Sequence, residues 1–127
     1  MKNREIYEIA LSLLAEPIGD MNTDDYQSRA SYLLGSFFYE NSGLDDSYRE
    51  AYGFEARRPI HAVCIDLDDE FPFVPRFANV AAYYLASTLV IDDNEALGDK
   101  FYDMFSAAMS KLISEIPASS ESIINIY

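Results

Sequence analysis

The sequence predicts a mainly α protein: a four-helix antiparallel bundle with a short extended or β element between helices 2 and 3. Three observations carry that expectation. Apolar residues recur at steps of three and four in four separate stretches, as the buried stripe of an amphipathic helix requires. Proline and glycine, which punctuate helices, fall between those stretches. Only one internal stretch is continuous in its hydrophobicity and rich in β-branched residues, the pattern of an extended segment.

The first helix is expected from about Asn3 to Glu16, because Ile6, Ile9, Ala10, Leu13 and Leu14 share one face. Pro17, Gly19 and Asp20 supply the turn that ends it, proline having no N–H to continue the ladder. Thr23 is the candidate cap of the second helix, with Asp24 and Asp25 against the positive end of its dipole. Tyr26, Ala30, Leu33, Leu34, Phe37 and Phe38 trace its apolar face to about Glu40, where Asn41-Ser42-Gly43 has the character of a helix stop.

Residues 43 to 59 are polar and irregular, with a short turn of helix around Asp45 to Tyr52 as their one regular feature. A connection of that length is a candidate contact loop, and it holds Tyr48, Tyr52, Phe54, Arg57 and Arg58. Ile60 to Ile65 reads as the extended element. Its candidate pairing partner is the tail Ile123, Ile124, Asn125, Ile126 and Tyr127, in the same chain or in another subunit. Pro75 fits the first turn of a third helix through Phe77, Val80, Ala81, Tyr84, Leu85, Thr88 and Leu89. Asp92 and Glu95 have capping-box spacing for a fourth, carrying Leu97, Phe101, Met104, Phe105, Ala108, Met109, Leu112, Ile113 and Ile116 until Pro117 closes it. One helical domain is therefore expected over residues 1–117, followed by a flexible C-terminal tail over 118–127.

The chain has 127 residues, half of them apolar or aromatic, enough for one core. Its 22 acidic against 9 basic residues give a net charge of −13, which repels phosphate backbones and anionic lipid. Sequence-specific nucleic-acid binding and membrane binding are therefore not expected. The one adjacent basic pair, Arg57-Arg58, is too short for a phosphate-binding stripe. The lone Cys64 cannot form an intramolecular disulfide, and the first residues lack the apolar run of a secretory signal. A reducing compartment fits best, and synthesis in the cytosol is expected.

The densest chemistry is Asp66, Asp68, Asp69 and Glu70. Oxygen ligands in that density suit a hard cation, and the same carboxylates also suit an acidic turn that places negative charge before the third helix. An EF-hand reading fails, since its sixth and twelfth positions are Phe71 and Phe77. His61 and Cys64 fall short of the four ligands of a structural zinc site, so a buried thiol and a half-exposed imidazole are expected. No Gly-x-Ser-x-Gly elbow or Gly-rich phosphate loop is present, and the reading is non-enzymatic, with no metal and no cofactor. Tyr48, Tyr52, Phe54, Phe71 and Phe73 lie off the helical stripes, either as interface anchors or as covers for the ends of the bundle.

The order of segments resembles that of bacteriophage head-tail connector proteins. The resemblance covers a helix ending Leu13-Leu-Ala-Glu-Pro17, then Asp24-Asp-Tyr26, then Ile65-Asp-Leu-Asp-Asp-Glu-Phe-Pro72, then Ala81-Ala-Tyr-Tyr-Leu-Ala86 in a third helix followed by a fourth. It implies a virion structural adaptor at the neck: a ring of identical subunits between the portal protein and a tail or neck protein, without enzyme activity. A lining of carboxylates lets DNA slide where a basic lining would hold it. The candidate contact residues are then the loop aromatics and arginines, the carboxylates from Asp66 to Glu70, and Ile123, Ile124, Ile126 and Tyr127 in the tail. The same charge also fits an acidic DNA-mimic inhibitor of a nucleic-acid-binding protein. A third class is a metal-dependent enzyme built on Asp66, Asp68, Asp69 and Glu70.

Overall fold

The computed structural model describes residues 1–18, 25–61 and 63–117. Four α-helices and one 3-10 turn account for its regular structure: α1 (Asn3–Ile18), α2 (Tyr26–Tyr52), the 3-10 turn Pro75–Phe77, α3 (Ala78–Val90) and α4 (Glu95–Ser114). The mainly α helical bundle is as expected.

At the centre lies α3, the helix with the smallest side chains. Val80, Ala81, Ala82, Leu85, Ala86, Ser87, Leu89 and Val90 are all buried, so it offers apolar surface on nearly every side. The other three helices each pack on α3 and approach one another only marginally. α1 and α2 therefore share the core chiefly through α3. Pairings along the interfaces show that α2 and α4 both run antiparallel to α3. Tyr26 bonds Asp93 and Arg29 reaches the Thr88 and Leu89 carbonyls, while Tyr48 lies edge-on to Phe77 at the other end. Likewise the Ser87 hydroxyl donates to the Gly98 carbonyl at 3.1 Å, and Tyr84 meets Phe105.

Ile6, Ala10 and Leu14 of α1, Leu34, Phe37 and Phe38 of α2, and Phe77, Leu85, Leu89 and Leu112 join one core. Each large apolar side chain buried there stabilises by about 1.5–3 kcal/mol before entropy is counted. Rings of Phe37, Phe38, Phe71, Phe73 and Phe77 stack edge-to-face or tilted at 5.1–6.2 Å, the arrangement their quadrupoles favour.

Several boundaries differ from expectation. Proline does not stop α1 at Glu16: the helix runs through Pro17 to Ile18, with Pro17, which has no N–H to donate, one residue from its end. The largest correction concerns α2, which passes through Asn41-Ser42-Gly43 and ends at Tyr52. Asn41 and Ser42 return their side-chain donors to the Phe37 and Phe38 carbonyls one turn back, so these polar groups are satisfied without leaving the helix. The true stop is Gly53, at φ 75°, where the N–H groups of Gly53 and Phe54 both donate to the Arg49 carbonyl. Residues 43 to 59 are thus half helix rather than one long loop.

No strand forms among the described residues. An isolated antiparallel bridge joins Lys2 and Glu70, and Ile60, His61 and Val63–Ile65 are irregular. Residue 62 of that stretch and the tail proposed to pair with it lie outside the described residues, as do Gly19, Asp20 and the cap Thr23. At the start of α4 the cap is Asn94, two residues after the expected Asp92. Its extended backbone lets the side chain accept from the Leu97 N–H at 3.0 Å, and Glu95 opens the helix.

Candidate functional site

Among the candidate contact residues, the structure brings Tyr48, Tyr52 and Phe54 together at one end of the bundle. The pitch of α2 stacks Tyr48 and Tyr52 one turn apart, ring centroids 4.6 Å from each other, and the left-handed Gly53 turns the chain back so that Phe54 lies 6.2 Å from Tyr48. Tyr48 is packed into the core. Tyr52 and Phe54 keep about half their surface open, 50% and 49%. The Tyr52 hydroxyl donates to the Glu115 carbonyl just past α4, so the C-terminal ends of α2 and α4 meet here. Ile113, at 50% exposure, adds to the same end. Phe71 and Phe73, weighed with these rings as interface anchors, are core residues instead.

Arg57 is held inside the fold. Asp45, fully buried on α2, accepts from the Arg49 guanidinium at 2.8 Å, the Arg57 guanidinium at 2.9 Å and the Val74 N–H at 3.0 Å. Arg57 also reaches Asp46 at 2.9 Å and lies over the Phe73 ring, while Arg49 donates to the Glu55 and Pro72 carbonyls. One carboxylate therefore ties the end of α2, the chain after Gly53 and the approach to α3, and so fixes the platform on which Tyr52 and Phe54 stand. Sequence reasoning passed over Asp45. Its signal was the four-residue spacing to Arg49 beside the apolar Leu44 and Tyr48. Arg58 is exposed and has no ion pair among the described residues.

The carboxylates from Asp66 to Glu70 form a compact turn that is docked on α1. Arg4 N–H donates to the Leu67 carbonyl at 2.7 Å and Asn3 N–H to the Asp69 carbonyl at 3.0 Å, filling donors that a helix start leaves free. The Asn3 side chain donates to the Asp66 carbonyl, and Phe71 N–H to the Met1 carbonyl. Asp68 pairs with Arg4 at 2.9 Å, and Glu70 with the Met1 amine at 3.1 Å. The hydrogen bond and charge of Arg4 hold the Asp68 carboxyl below the usual carboxylate range. The negative charge expected before the third helix thus lies against the positive end of α1. Asp66 accepts the Asp68 N–H within the turn.

Two clefts flank this turn. One of about 530 Å³ is lined by Arg4, Gln27, Ser28, Ser31, Asp66 and Leu67, and one of about 320 Å³ has Asn3, His61, Cys64, Asp69 and Glu70 on its walls. Among the described residues no three His, Cys, Asp or Glu side chains converge as metal ligands. Cys64 is exposed, contrary to the expected buried thiol, because its segment crosses the outside of α2. That crossing needs Gly35: a Cβ there would collide with the Val63 carbonyl.

Basic groups are largely consumed within the fold, and many carboxylates are left without an ion pair. Five of the six arginines are engaged within the fold, by Asp68, by Asp25 and Asp92 with helix-end carbonyls, by Asp45, by Asp46, and bidentately by Glu115. At the aromatic end Asp45, Asp46, Glu50, Glu55 and Glu115 are matched in number by Arg49, Arg57, Arg58, Arg76 and Lys111. Glu50 and Glu55 at that end are exposed without an ion pair among the described residues, as are Glu5, Glu8, Asp66, Asp69, Glu95 and Asp99 around the start of α1, the acidic turn and the start of α4, where Lys2 and Lys100 are also exposed.

Ile123, Ile124, Ile126 and Tyr127 lie outside the described residues. No helix among the described residues is long and apolar enough to cross a membrane. Comparison with protein-family models, curated proteins and solved structures gives no match for this chain.

Proposed function

We propose that this chain is a non-enzymatic structural adaptor of a phage neck, a ring subunit between the portal and a tail or neck protein. The observation that supports the reading best is the surplus of exposed carboxylates without an ion pair, Glu5, Glu8, Asp66, Asp69, Glu95 and Asp99 among them, beside an aromatic end where acidic and basic residues are equal in number. A subunit that must face DNA without holding it and also bind protein needs both kinds of surface. In a ring, the carboxylates would face the channel and the aromatic end a protein neighbour, through head-to-tail contacts that close by rotation.

The surplus of exposed carboxylates also supports a second reading, an acidic DNA mimic that occupies the basic site of a nuclease or repressor. Light scattering after size exclusion separates them, run on the chain alone and with the candidate portal protein. The adaptor predicts a discrete ring or a ring-on-portal complex. A chain that stays monomeric in both samples, yet displaces DNA from a basic protein, overturns the adaptor and leaves the mimic.

A further inference from the structure

From the cleft between the acidic turn and the chain around Ile60 and Ile65 we infer a binding site for an organic cation, an ammonium or guanidinium group carried on an apolar stem. Asn3, only 2% exposed, lines that cleft, and its Oδ1 is a buried acceptor with no hydrogen-bond partner among the described residues. Turning the amide round does not cure this, because Nδ2 is the donor that holds the Asp66 carbonyl at 3.0 Å. Buried acceptors in folded proteins are paired with few exceptions, so an unpaired one bordering a cleft marks the place of a donor.

Charge decides which kind of donor. Asp66, Asp69 and Glu70 stand on the rim, all exposed, and among the described residues no lysine or arginine lines the cleft, His61 being its one basic side chain. The Asp69 carboxylate meets no donor among the described residues, Glu70 is held only by the Met1 amine, and Asp66 gives one oxygen to the Asp68 N–H. A cleft walled by one sign of charge concentrates the opposite sign. The neighbouring cleft, by contrast, has Arg4 on its wall. A bare metal ion fits poorly, since no three such side chains converge as ligands among the described residues. The N–H groups of an ammonium or guanidinium diverge, and so reach acceptors that are set apart. Phe38 closes the floor beside Asn3, and part-buried Ile60, Ile65 and Pro72 form walls that suit an alkyl stem. At about 320 Å³ the cleft is at the small end of ligand pockets, with room for the end of one lysine or arginine side chain or for a free amine of that length. The inference goes beyond the adaptor reading and does not rest on it.

Titration of the full chain with cadaverine, agmatine and the capped amides of lysine and arginine tests it, followed by amide nuclear magnetic resonance at constant ionic strength with pentanol as the neutral control. Saturable shifts centred on the Asn3 side-chain amide, Ile60 and Ile65 are expected with the cations and not with pentanol. Asp69→Asn should weaken binding about tenfold, the worth of one charged hydrogen bond, with the helical circular dichroism intact. Asp99→Asn on α4 removes the same charge outside the cleft and should leave the affinity unchanged. Tighter binding of cadaverine or agmatine than of the capped amides assigns a free amine as the source, and the reverse assigns a side chain of a protein partner. Shifts that never saturate, or that weaken equally in Asp99→Asn, reduce the effect to net charge and overturn the inference. An Asn3 amide that no cation moves overturns it too, as does tighter binding of calcium or zinc at the same signals.

Discussion

Replacing Asp45 with alanine is expected to be the most damaging single change at the surface-forming end of the molecule. The carboxylate is fully buried and serves Arg49, Arg57 and the Val74 amide at 2.8–3.0 Å. The Arg57 and Arg49 side chains are only 8% and 16% exposed, so water cannot replace the lost acceptor. Breaking a buried ion pair from one side costs about 3–5 kcal/mol. A domain this size has about 5–15 kcal/mol in all. At about 4 °C per kcal/mol, Tm should fall by roughly 12–20 °C. Asp46, which also pairs with Arg57, is 62% exposed, and Asp46→Ala should cost less than about 1 kcal/mol. Far-ultraviolet circular dichroism melts of the two variants beside the parent provide the assay. If Asp45→Ala melts within about 3 °C of the parent, or no lower than Asp46→Ala, the carboxylate does not organise this end.

Two glycines of α2 should respond in opposite directions. Gly35→Ala drives a Cβ into the Val63 carbonyl and is expected to lose about 1–3 kcal/mol in urea unfolding. Gly43→Ala meets nothing and should gain about 0.5–1 kcal/mol from helix propensity, so equal effects would sink the packing argument. Burial, then the 2.6 Å hydrogen bond to Asp93, raises the Tyr26 phenol above its ordinary value. The unfolded state therefore loses its proton first, and this stabilisation, complete below about pH 10, declines as pH rises beyond it. Tyr26→Phe should flatten the alkaline decline of Tm without removing it, because burial also raises Tyr7, and an unchanged slope would refute the assignment. Millimolar magnesium or calcium is expected to leave Tm unmoved, and a rise that Asp66→Asn abolishes would assign a cation to the acidic turn.

Much of the helical framework was legible because the stripes of α1, α3 and α4 are long and regular. What sequence could not supply depends on partners distant in the chain. Asn41-Ser42-Gly43 has the composition of a stop, and only the carbonyls of Phe37 and Phe38 and the knot at Asp45 explain why the helix continues. That knot joins residues 45, 57 and 74, no two of which are neighbours in a local pattern. Arg57 read as a contact-loop residue, and its burial between Asp45 and the Phe73 ring required the fold. The tyrosines of the aromatic end were found as off-stripe rings, whereas their separation from Phe71 and Phe73 required the packed core.

The docking of the acidic turn on α1 bears on the order in which the chain becomes stable during synthesis. The groups that complete the start of α1 arrive late: Asn3 takes its side-chain acceptor from a residue 63 positions downstream, and α3, on which α1 packs, is later still. Alone in water a 16-residue helix of this composition is marginal. Pulse-labelled hydrogen exchange in which α1 gained protection before residues 67–90 would contradict this order. Because α1 leaves the ribosome before the acidic turn and α3, it is thus expected to wait as a fluctuating coil until they have followed it, with its apolar face open to chaperones throughout.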